Sequence, residues 1–229
     1  MNNFDSYLLL TIFIVSLINL LGYIFSYLVV TKKIGFSKQI QPKVNRGKEY
    51  LFKHTSLFIF NVSLLIIFVF IGFYFFEEYI ISSHLFESIL VIIFELFIVL
   101  LFDDTFFYFL HRLMHRNKFI YNKIHKIHHR ANAPIPTDYI YVHPLEWMSG
   151  FIGPFIGILL LGGVSIYSFW LYLLVRNFHE LLIHSGLKSI YIKFPFYGTN
   201  EHHDLHHAKR DGNYASTFTF WDYFLKTKI

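Results

Sequence analysis

An apolar run extends from Tyr7 to Val30, with polar residues only at scattered positions. A helix needs about 20 consecutive apolar residues to cross a bilayer core, so this stretch predicts a membrane span. It is too long for a signal-peptide core and lacks a basic start and a small-residue cleavage site, so it reads as a retained anchor. Ser56 to Phe76 predicts a second span and Leu85 to Phe102 a third. The third carries Glu87 and Glu95. A carboxylate in a span is costly and is expected to face the bundle interior or an interface.

Gly150 to Val175 is apolar again, but Gly150, Gly153, Pro154, Gly157 and the pair Gly162-Gly163 punctuate it. This pattern predicts two short helices meeting near that pair. Each arm reaches roughly 18 Å at 1.5 Å per residue, too short for a ~30 Å core, so the pair is expected to dip into the membrane and return. The alternative is one ordinary span with the C-terminal part on the other side.

Charge placement favours the hairpin. Lys32, Lys33, Lys38, Lys43, Arg46, Lys48 and Lys53 lie between the first two spans, and the positive-inside bias puts that loop in the cytoplasm. The third span then returns to the cytoplasm at Asp103, where Arg112, Arg116, Lys118, Lys123, Lys126 and Arg130 follow. Lys188, Lys193, Lys209 and Arg210 lie beyond the last apolar stretch. Both its flanks therefore read as cytoplasmic, which requires an even number of crossings.

Composition agrees with a membrane protein: of 229 residues, 55% are hydrophobic and only 15% charged. Soluble chains carry about a quarter charged residues. There is no Cys, which removes disulfides, thiolate-zinc sites, iron–sulfur clusters and thiolate-ligated haem. The expected fold is an all-α integral membrane protein, with transmembrane helices in 1–102 and a cytoplasmic histidine-rich helical cap in 103–229. The cap includes the membrane-dipping hairpin at about 150–175.

The candidate chemistry lies in the histidines. All 14 except His54 and His84 follow Asp103; those two read as ordinary structural residues. The others form groups: His111 and His115; His125, His128 and His129; His184; and His203, His206 and His207. Residues three or four apart share a helix face, so each group is expected to aim its imidazoles one way. Nine imidazoles are too many for one metal and suit two. Asp104, two helical turns before His111, could orient a ligand ring. Glu180, four residues before His184, could ligate or orient. His143 reads as ligand or support, and His179 and His202 as support. No catalytic residue is expected beyond the ligands.

Zinc has no redox chemistry, whereas non-haem iron with open positions serves oxygenases. An all-imidazole pair in apolar surroundings therefore points to two irons, dioxygen and oxidation of a lipid C–H bond. Copper or zinc remain alternatives. No glycine-rich nicotinamide fingerprint is visible, so an external electron donor is needed.

The set HRLMH, HKIHH, HPLE, HSG and HDLHH resembles the fatty acid hydroxylase/sterol desaturase superfamily of membrane di-iron enzymes. DDTFFYFLHR, FYGTNEHHDLHH and GNYASTFTFWD closely resemble its sterol 4-methyl oxidase branch. The resemblance covers Asp103 to Thr227. It implies oxidation of a carbon-4 methyl group of sterol precursors in the endoplasmic reticulum membrane, with the histidine clusters facing the cytoplasm. It also implies electrons from NAD(P)H passing through a flavin reductase and a b-type cytochrome as partners, and no nucleic acid. Carried over by position, the nine grouped histidines match the family's histidines, while Glu180 stands where hydroxylase relatives carry a partner histidine. Tyr214 and Trp221 are candidates to line the substrate cleft. Alternatives on the same scaffold are a sterol desaturase or a fatty acyl hydroxylase. An alternative of another class is an inactive metal- or lipid-binding membrane protein.

Overall fold

A computed structural model describes residues 3–34, 38–42, 47–82, 88–189 and 195–229. His84, Leu85, Glu87, Lys43, Arg46 and Lys193 lie outside the described residues. Helix α1 spans Asn3–Val30 and α2 spans Lys48–Ile80. Both are long and apolar enough to cross a membrane. Their outer faces leave large apolar side chains open, with Phe13 59% and Ile59 57% exposed, as a lipid-facing surface requires.

Helix α3 spans Ile89–Arg116. The apolar run ends at Phe102, but the helix does not, because no proline or glycine interrupts 103–116. One rigid rod therefore leads from an apolar segment directly to His111 and His115. Asn117 ends α3, and its side chain caps the short α4 (Lys118–Lys123), accepting from the Phe119 and Ile120 amides at 3.0 and 3.1 Å.

His125–Arg130 and Pro136–Tyr139 form 3₁₀ turns, and α5 covers Pro144–Ser149. Helix α6 (Ile152–Leu160) and α7 (Ile166–Ile183) meet across Gly162 and Gly163. Helix α7, with 18 residues, is longer than the short arm expected and continues past Val175 because no proline or glycine interrupts it before Gly186. Both glycines have positive φ (73° and 96°), which suits residues without a Cβ. Helix α8 spans Asn200–Lys209 and α9 spans Phe220–Phe224. Thr199 caps α8, and Arg210 ends it in a left-handed conformation (φ 62°). Among the described residues there is no strand, only isolated bridges such as Ile81 with Val164.

Helix α6 presses its Gly153 and Gly157 against α3. A Cβ at Gly153 would lie 2.9 Å from the Asp103 Cα, and one at Gly157 would lie 3.1 Å from the Val99 Cα. Two small residues four apart let the backbones meet. Glu95 is buried and accepts from the Ser165 amide at 3.0 Å and the Ser168 hydroxyl at 2.5 Å. Its carboxylate thus sits at the N-terminus of α7, where the helix dipole favours negative charge. The apolar core joins Val15, Leu65, Phe73, Val99, Ile158 and Phe169.

Polar residues of the first two helices grip the segment between His129 and α5. Asn61 donates to the Ile140 and Val142 carbonyls at 2.8 and 3.0 Å. The Tyr139 hydroxyl donates to Asn19 Oδ1 at 2.9 Å, and Ser26 meets Thr137. His54 joins this seam rather than the histidine groups, lying 3.0 Å from Asp138 and stacked on Tyr141.

Candidate metal centre

Helices α3, α7 and α8 and the first 3₁₀ turn bring nine imidazoles together in two groups. His111, His115, His125, His129 and His206 form one; His128, His184, His203 and His207 form the other. Within each group the potential ligand nitrogens all lie within 4.8 Å of one another. All nine rings are buried except His115, which is partly covered.

The groups do not follow the sequence clusters. His111 with His115, His125 with His129, and His203 with His207 stay together, each pair four residues apart. His128 and His206 cross to the other group. The expectation that each cluster aims one way fails for an angular reason. Neighbouring residues diverge by about 100° in an α-helix and about 120° in a 3₁₀ turn. His128 and His129, like His206 and His207, therefore cannot face one point.

The ring nitrogens show what the groups can do. His111 Nδ1 donates to the Tyr214 carbonyl at 2.7 Å, and His206 Nδ1 to the Gly212 carbonyl at 2.7 Å. His125 Nδ1 faces Glu146 Oε1 at 2.8 Å, and His184 Nδ1 faces the Glu180 carbonyl at 2.9 Å. A neutral imidazole has one N–H. With Nδ1–H committed to oxygen, Nε2 carries a lone pair. Yet His111 and His125 bring their Nε2 atoms to 3.1 Å; in the other group His184 and His203 bring theirs to 2.9 Å. The Nδ1 atoms of His128, His129, His203 and His207 are buried with no partner among the described residues.

Burial pushes His115, His125 and His128 each down to about 3, so all are neutral at pH 7 and ready to bind metal. Converging lone pairs with no proton between them repel unless a cation lies among them. Two all-nitrogen sets of five and four donors fit two transition-metal ions.

The residues expected to support these rings fall in varied places. Glu180 lies beside the second group: its Oε2 is 3.5 Å from His184 Nδ1, and it also pairs with Arg176 and the Ser216 hydroxyl. Asp104 touches no ligand imidazole; its Oδ1 accepts from the Ser216 and Thr217 amides at 3.2 and 2.6 Å. The ring it was expected to orient, His111, is held by a backbone carbonyl instead. His143 caps α5, accepting from the Leu145 amide at 3.1 Å. His179 lies between the Tyr197 hydroxyl at 2.9 Å and the Ser216 carbonyl at 3.3 Å. His202 meets Asp222 at 3.2 Å. None of these three histidines joins either group.

Tyr214 and Trp221 pack behind the first group rather than lining the cavity described next. The Trp221 indole donates to Thr105 at 3.1 Å, and Tyr214 supplies the carbonyl for His111. Asp222 fixes that loop by accepting from the Tyr214 and Ala215 amides, each at 2.9 Å.

A cavity of about 120 Å³ opens beside the second group, reaching His128, His184 and His203. Its wall is mostly apolar, with Leu65, Phe107 and Phe151 among the lining residues. Glu146 also lines it, and burial pushes that carboxyl up to about 7. Sequence reasoning noted HPLE for its histidine and missed the glutamate. A carboxylate three residues after a histidine, in a segment with so few acids, was the available signal. The carbonyls of Gly212 and Tyr214 had none, since any residue supplies a carbonyl.

Buried imidazoles in two sets, beneath helices able to cross a membrane, define a histidine-rich helical membrane protein built to bind metal. The sequence model of the fatty acid hydroxylase family matches residues 96–227, and the chain belongs to that family. It is 35% identical over 221 residues to methylsterol monooxygenase 1 of Rattus norvegicus, covering 93% of this chain and 73% of that one. It is 33% identical to methylsterol monooxygenase 1 of Gallus gallus, covering 88% and 68%. A methylsterol monooxygenase of Aspergillus fumigatus is 36% identical over 62% of this chain and 50% of its own. No solved structure matches the chain.

Proposed function

We propose that the chain is a membrane monooxygenase that holds two irons and oxidises the carbon-4 methyl group of sterol precursors. The observation that carries this reading is the pair of imidazole groups beside an apolar cavity. The similarity to methylsterol monooxygenases over most of the chain gives the substrate class.

His111, His115, His125, His129 and His206 hold one ion, and His128, His184, His203 and His207 the other. Iron so held supplies dioxygen activation. The protein's part is positional. The carbonyls of Tyr214, Gly212 and Glu180 and the carboxylate of Glu146 fix the rings so that each lone pair faces inward. The apolar wall holds a lipid and excludes water, so the oxidant meets only the substrate. The open cavity meets the second group, so a substrate seated there would lie beside His128, His184 and His203.

In this reading 1–102 is the membrane anchor and 103–229 the catalytic region. Helix α6 and the part of α7 up to Val175 dip into the bilayer and return, so the histidines lie on the cytoplasmic side of an endoplasmic reticulum membrane. Electrons from NAD(P)H arrive through a flavin reductase and a b-type cytochrome.

The test is a mass-spectrometric lipid profile of cells lacking their own sterol 4-methyl oxidase. Loss of 4-methyl sterols with the wild type, and their persistence with His206→Ala, is expected. A shift in fatty acyl or desaturated sterol species instead would move the chain to another branch of the family. No lipid change, with the protein expressed, iron-loaded and supplied with reductase and cytochrome, would leave the inactive reading.

A further inference from the structure

The cavity beside the second histidine group contains a buried ionic cluster. Arg176 lies on α7, two helical turns before His184. Its Nε donates to Asp103 Oδ2 at 2.6 Å, it pairs with Glu180, and its guanidinium lies 5.8 Å from the centre of the Phe107 ring. The Tyr172 hydroxyl donates to the same Asp103 oxygen at 3.1 Å. All five residues line the cavity. Two carboxylates hold the guanidinium from two sides, and its Nη1, in ionic contact with Glu180, is buried with no hydrogen-bond partner among the described residues.

A second cavity, almost wholly apolar, shares Leu65, Phe151, Tyr172 and Leu173 with the first. It lies between α2, α6 and α7, beside Phe73 and Ile158, and the four shared residues form the boundary between the two cavities. The combined space is therefore polar at the histidine end and apolar away from it. That gradient fits an amphiphile with one small polar end and a long apolar body. A chain oxidised far from its polar group would need an apolar wall beside the histidines.

We propose that Arg176 binds the oxygen substituent neighbouring the methyl group under attack, so that the lipid sits polar end first. The proposal rests on the sterol reading above. A sterol bears its hydroxyl on carbon 3, which is bonded to carbon 4. Anchoring that oxygen at Arg176 holds the carbon-4 methyl next to His184 and His203. Arg176 is thus a substrate-positioning residue, and Asp103 and Glu180 set the direction of its fork. Arginine suits the task because its planar donors are fixed once two of them are engaged.

The test compares a 4-methyl sterol with its 3-deoxy analogue in the wild type, in Arg176→Lys, and in the charge-balanced Asp103→Asn/Arg176→Gln. Product is read by mass spectrometry as kcat/KM per bound iron. The wild type is expected to favour the hydroxylated substrate by about 10- to 100-fold, the range supplied by a hydrogen bond to a charged group. Both variants lose that preference through slower turnover of the hydroxylated substrate, while the 3-deoxy rate holds. Retained preference in the variants at wild-type iron content overturns the proposal. So does its disappearance in Glu146→Gln alone, which moves the anchor to the other side of the cavity. A wild type that oxidises neither sterol refutes the sterol reading itself, and this proposal with it.

Discussion

The Nε2 atoms of His111 and His125 lie 3.1 Å apart, with each ring's Nδ1 directed at an oxygen. The second relationship makes the first repulsive in the absence of a cation. The partner of His125 is Glu146, which ties the α5 segment to the metal-facing side of the turn. Glu146→Gln keeps an oxygen for that ring but removes the charge that raises its basicity. Iron affinity is expected to fall about 10- to 100-fold, the usual effect of losing such a partner. Chelator competition on the purified protein measures it.

The packing of α6 on α3 carries a stability prediction. Gly153→Val drives side-chain atoms into the Asp103 backbone, which a Cβ alone already approaches to 2.9 Å. A loss of about 1–3 kcal/mol is expected for such overpacking. In Gly72→Ala the nearest atom is Ile80 Cδ1 at 3.8 Å, so that change is tolerated. Thermal unfolding in detergent separates the two.

His179 gives a pH prediction. Burial pushes it down to about 4, from an ordinary value of 6.5. The unfolded chain therefore binds a proton between those values that the folded chain refuses. The ring's contribution is fully present above pH 6.5 and is lost as pH falls toward 4, at most about 3 kcal/mol. His179→Gln keeps polar atoms near Tyr197 and Ser216 but does not titrate. The stability gap between wild type and variant should shift in the variant's favour as pH drops from 7 to 4. A gap that stays constant over that range contradicts this account of the residue.

The histidine constellation was legible because ligand residues are rare types at fixed spacings. The nine rings brought together are those the spacing pointed to, from His111 to His207. Their division into five and four was not legible. It depends on the rotation between adjacent residues, which parts His128 from His129 and His206 from His207. The apolar run ends at Phe102 and gave no sign that α3 continues to Arg116, since hydropathy reports the solvent and not the helix; among the described residues only α1 and α2 are long and apolar enough to cross a membrane. The supports were the least visible. Asp103 and Arg176 are 73 residues apart, and the carbonyls of Tyr214 and Gly212 have no sequence signature at all.

The most direct test of the central claim is metal stoichiometry, measured by elemental analysis of purified wild type, His206→Ala and His203→Ala. His206 belongs to the group of five and His203 to the group of four. Two irons per chain are predicted for the wild type, about one for each single variant, and none for the double variant. A wild type that binds one ion or none when iron is supplied, or single variants that keep both ions, would contradict a two-metal centre divided between these groups.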